Sequence, residues 1–171
     1  MDAIFSIWSW IRWIHLIAAI AWIGGQLFIL IVLLPIMRTT LPRNERILVF
    51  AQVGRRYATV SWVALTLLII TGFLNGQRRS VDWEHLTRSG YGQILFTKLI
   101  FVAIIIVVTL VHALYFGRRI TELAERSKEL GQDNPEIAAE RRRLQILSGV
   151  LSGANLLLNL VVVLLAAALV A

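Results

Sequence analysis

The chain has 171 residues, 58% of them hydrophobic and 16% charged, with a net charge of +7 and no cysteine. The lack of cysteine excludes disulfides, thiolate metal centres and thiol redox chemistry. The basic residues flank apolar blocks and are not interleaved with aromatics on a soluble face, so the charge reads as membrane topology and not as nucleic-acid binding.

Four apolar blocks, at about 4–37, 58–76, 91–116 and 147–171, are each long enough to cross a hydrocarbon core of about 30 Å, which takes roughly 20 helical residues. The pattern predicts an all-α integral membrane protein, an antiparallel four-transmembrane-helix bundle forming one domain over residues 1–171. The first block exceeds the h-region of a signal peptide and lacks a basic n-region, so it is expected to stay in the mature chain, protruding or tilted.

Block one carries Trp8, Arg12, His15, Trp22 and Gln26 at steps of 4, 3, 7 and 4, which places them on one helix face. An imidazole beside a guanidinium and an indole is costly in lipid and marks a candidate site. The loop after it holds Arg38, Arg43, Arg46, Arg55 and Arg56. The loop after block two holds only Arg78, Arg79 and Arg88, offset by Asp82 and Glu84, and also carries His85. Arg118, Arg119, Arg126, Lys128, Arg141, Arg142 and Arg143 follow block three. This asymmetry places loops one and three in the cytoplasm and both termini outside.

In block three Lys98, Ile105 and His112 share a face at seven-residue steps, with Tyr115 one turn beyond. His15 and Lys98 both fall in the outer half of the membrane, and His112 stands about 21 Å further along its helix than Lys98. His15 and His112 are therefore not expected to share one ion, and the partners within reach of His15 are Lys98, His85 and Arg12. Residues 118–145 alternate in charge and read as a cytoplasmic helical hairpin, broken at Gly131–Asn134 and restarted with Asn134 as N-cap and Pro135 at the first helical position. Block four shows a polar stripe of Ser148, Ser152, Asn155 and Asn159, with Gly149 and Gly153 as a small-xxx-small pair suited to close helix approach or a homodimer. Paired carboxylates within a span, a Gly-rich phosphate loop and a nucleophile triad are all missing, which leaves soluble hydrolase and nucleotide chemistry without support.

The stretch WIHLIAAIAWIGGQLFILIVLLP, with His15 inside it, resembles the first span of the CopD family of copper-resistance membrane proteins, and LSGANLLLNLVVVLLAA resembles that family's last helix. The pattern of His15, Trp22 and Gly24 also resembles the related HemJ-type protoporphyrinogen oxidases. There a third-span lysine would fall on Lys98, and a later His followed by an aromatic, Gly and Arg is approximated by His112, Tyr115, Gly117 and Arg118. The spacing from Lys98 to His112 is longer here, the acidic residue entering that group's fourth helix has no counterpart, and the chain has neither a His-x-His nor a methionine cluster.

The resemblance implies a bacterial inner-membrane protein, and two kinds of chemistry follow from it. In the first, b-type haem or a porphyrin lies in the bundle with His15 as ligand, Lys98 or His85 on the other side or at a propionate, Arg12 and Lys98 near the outer surface neutralising propionates, and Trp8 and Trp22 against the ring, with quinone or porphyrinogen as redox partner. In the second, copper is handled by imidazoles, His15, His85 and His112 serving as stations. A scaffold whose polar stripe only holds the helices together is the third reading.

Overall fold

The computed structural model describes residues 6–79, 81, 83–84, 86–129 and 135–169. His85 and Asn134 lie outside the described residues. Four helices hold the chain, and no strand occurs among the described residues. Helix α1 runs Ile7–Thr40, α2 runs Arg43–Arg78, α3 runs 90–129 and α4 runs Pro135–Ala168. Each contains a stretch long and apolar enough to span a bilayer: Ile7–Thr40, Leu48–Arg78, Gly90–Ile120 and Glu136–Ala168. Helices suit this setting because every backbone polar group finds its partner inside its own segment. The protein is an integral membrane protein with four such helices. Leu164, Ile7 and Val150, each more than 60% exposed, belong to the broad apolar surface such helices turn toward lipid.

Helices α2 and α4 start well before the apolar blocks expected at 58 and 147. The reason is chemical: the arginine-rich runs that precede both blocks are rich in good helix formers such as Arg, Glu, Leu, Ala and Gln, so the helix extends through the charged segment that composition marks as loop. Only Leu41 and Pro42 separate α1 from α2. Helix starts are fixed locally by Ser6 and Ser89, whose Oγ atoms accept from the amides of Ser9 (3.3 Å) and Gly92 (3.0 Å).

Two helices contain a π turn. In α1 it occupies Ile29–Leu33, just before Pro35. Proline has no N–H and its ring collides with the carbonyl four residues back, so the wider turn accommodates it without ending the helix. In α3 the π turn occupies His112–Gly117, in a stretch that has no proline between Pro42 and Pro135.

The chain forms two compact units, residues 1–85 and 86–171. Unit one is the antiparallel pair α1–α2, with Ala18, Trp22, Ala64, Leu65, Ser61 and Thr71 buried. Unit two is the antiparallel pair α3–α4, with Ile105, Leu144, Leu156 and Asn159 buried. At its charged end Arg119 donates to Glu140 Oε1 from Nη2 at 3.0 Å and from Nε at 3.3 Å, and pairs with Glu122 at 3.5 Å. Within unit two, no atom of α3 stands within 4 Å of where a Cβ on Gly149 or Gly153 would be.

Candidate functional site

Helix α2 supplies what block one lacked, a partner for its imidazole. Tyr57, Ser61, Thr71 and Asn75 fall within about 40° of one line along the helix, at 100° per residue, and this stripe faces α1. Thr71 is 5% exposed. Its hydroxyl donates to the Leu67 carbonyl at 2.5 Å, and its Oγ1 lies 2.7 Å from His15 Nδ1. A threonine hydroxyl has a single proton, and the shorter of its two contacts, to the Leu67 carbonyl, which can only accept, is the one that uses it. Oγ1 therefore accepts from His15, so Nδ1 carries the ring proton and the lone pair is on Nε2. The side chain at position 72 is absent; a Cβ there would reach 3.5 Å from His15 Cε1, so the glycine leaves room beside the ring.

A second link lies further along the same seam. The Tyr57 hydroxyl donates to the Trp22 carbonyl, and its ring occupies the space a side chain at Gly25 would need. In lipid, burying an apolar side chain against another helix gains little, because the surrounding acyl chains are equally apolar; close packing and inter-helix hydrogen bonds hold α1 to α2. The two bonds fix the depth of His15 against α2. Near the end of α2, Trp83 covers Gly76 and stacks on Phe73 at 5.7 Å, and the Arg78 guanidinium stands 5.4 Å from the Trp8 ring centroid.

The structure brings together some of the expected residues. His15 is half-buried on the seam and Trp22 is 3% exposed within it, whereas Arg12 is exposed and lies off it. Trp8 is engaged by Arg78. Lys98 is half-buried on α3, in the other unit. His112, also in unit two, has Nε2 at 2.9 Å from Ser148 Oγ and 3.1 Å from Ser152 Oγ, with Phe116 stacked at 6.4 Å. Among the described residues no three His, Asp or Glu side chains gather at one point. Thr71 and Tyr57 were not singled out from sequence, and the polar stripe of block two is the signal that points to them.

The fold and this seam define a four-helix integral membrane protein with a histidine hydrogen-bonded across the contact between its first two helices. Residues 17–129 match the family described as a domain of unknown function, DUF4149, and the chain belongs to that family. It is 29% identical over 108 residues to an uncharacterized protein of Aquifex aeolicus (strain VF5), covering 62% of this chain and 68% of that one. No solved structure matches significantly.

Proposed function

We propose that the protein is a CopD- or HemJ-like redox protein of a bacterial inner membrane that binds b-type haem or a porphyrin through His15. The observation that carries this reading is the hydrogen bond from His15 Nδ1 to Thr71. Histidines that ligate metals donate their other ring N–H to an oxygen acceptor, which fixes the tautomer and the ring plane. Thr71 is such an acceptor, and the resulting lone pair on Nε2 is the one an iron would take. Haem supplies one-electron chemistry once bound; the protein's part is to hold the imidazole in one tautomer and at one depth. Helix α2 does this through Thr71 and, further along, Tyr57.

The propionate partner expected from sequence, Lys98, belongs to unit two, so the reading stands or falls on His15. The orientation with loops one and three in the cytoplasm rests on the arginine asymmetry between the loops. Copper handling is the second reading. It draws on the same His15 nitrogen, while Nε2 of His112 is directed at serine hydroxyls.

The test is a haemin titration of the purified protein followed by absorbance. Wild type binds one equivalent. His15→Ala loses the Soret shift, and Thr71→Val weakens binding by about 10- to 100-fold, the usual effect of losing a ligand-orienting partner. A His15→Ala variant that binds haemin like wild type overturns the reading. A colourless preparation that carries stoichiometric copper moves it to copper.

A further inference from the structure

Unit two contains a second polar locus, in which one histidine bridges α3 and α4. His112 opens the π turn of α3, and no proline accounts for that turn. π turns of this kind are frequent at functional positions because the extra residue re-aims the side chains around it. Nε2 of His112 reaches both Ser148 and Ser152 on α4. Ser152 directs its proton to the Ser148 carbonyl at 2.9 Å, so its Oγ accepts from His112; Nε2 carries the ring proton and Nδ1 holds the lone pair.

One turn deeper, two polar atoms are buried with no hydrogen-bond partner: Thr109 Oγ1 on α3 and Asn155 Oδ1 on α4. The helices are antiparallel, and the step from His112 back to Thr109 runs the same way through the membrane as the step from Ser152 on to Asn155. Both steps are three residues, about 4.5 Å, so the two orphaned atoms lie at one level. Asn159, 5% exposed, continues the line inward, its Nδ2 donating to the Asn155 carbonyl at 2.8 Å. Buried polar atoms without a protein partner are the groups ordered water satisfies, and Thr109 Oγ1 and Asn155 Oδ1 are two such atoms on facing helices.

We propose that the α3–α4 seam holds ordered water between Thr109 and Asn155, and that this water and His112 form a proton path from the charged end of unit two to the middle of the membrane. An imidazole takes a proton at one nitrogen and releases one from the other, and a ring flip then restores the starting tautomer, so His112 relays protons without consuming them. The groups that face it are Ser148, Ser152 and Phe116. The nearest charges along the chain are Arg118 and Arg119 on one side and Lys98 on the other, with Arg141, Arg142 and Arg143 where α4 enters. The proposal does not depend on haem at His15.

The test is water-edited solid-state NMR on the full-length, isotope-labelled protein in bilayers. Wild type gives water cross-peaks at the Thr109 and Asn155 side chains and at the His112 imidazole, at depths where neighbouring apolar residues give none. In Thr109→Val/Asn155→Leu the His112 cross-peak is lost while helix signals persist. A dry wild-type seam overturns the proposal, and so does a co-purifying organic molecule giving the contacts in place of water. The wild-type measurement decides the matter even if the double variant does not fold.

Discussion

At the scale of single residues, the seam of unit one depends on atoms with one job each. Thr71→Val keeps the shape of the side chain but removes the acceptor for His15 Nδ1. The expected loss of stability is about 1 kcal/mol, read as a lower thermal midpoint in detergent; no change would show that the hydroxyl is not bonded to the ring. Gly25 faces a harder limit, because a Cβ there would overlap the Tyr57 ring, which is rigid and already bonded to the Trp22 carbonyl. Gly25→Ala should therefore cost about 1–3 kcal/mol by overpacking, measured in the same melt, while Gly54→Ala, in open space, should not lower the midpoint. His15 was legible in the sequence as a polar group inside an apolar run. Its partner was not, because a threonine in a span reads as an ordinary self-capped side chain, and only the register between α1 and α2 turns its lone pair toward an imidazole.

Among the elements, the four apolar blocks were legible and their starts were not. By charge Arg55 and Arg56 read as loop residues, and they lie within α2, since arginine is both a topology signal and a good helix former. The two π turns have different origins that substitution can separate. Pro35→Ala restores an amide donor in α1, and the turn at Ile29–Leu33 should close to regular α geometry, seen as slower amide exchange across 29–35. The turn at His112–Gly117 contains no proline to remove, and it should persist unless His112 and its serine partners are changed together. Arg119 links α3 to α4 through Glu140, with both side chains more than 40% exposed. Arg119→Ala should leave the thermal midpoint almost unchanged, as loss of exposed ion pairs does; a clear drop would mean that this pair holds the charged ends of the helices together.

For the whole molecule, the membrane character follows from composition alone, and the antiparallel pairing within each unit follows from chain order. Orientation is open to direct test because the chain has no native cysteine. A single cysteine introduced at position 132 should react with a membrane-impermeant maleimide only after the cells are opened, and one at position 80 should react in intact cells; the reverse pattern would invert the topology. The small-residue pair Gly149 and Gly153 shows why packing is hard to read from sequence. The spacing permits close helix approach, yet α3, their partner within unit two, does not come within 4 Å of either Cβ position.

In the function proposed for this protein, His15, hydrogen-bonded to Thr71, ligates the iron of a haem. The most direct test is the visible spectrum of protein purified from haem-replete cells, oxidised and then reduced with dithionite, beside His15→Ala purified in parallel. The account predicts a Soret band with sharp α and β bands on reduction in wild type, and their loss in His15→Ala with helical content unchanged. A colourless wild-type protein that also fails to take up added haemin, or a His15→Ala spectrum identical to wild type, would contradict it.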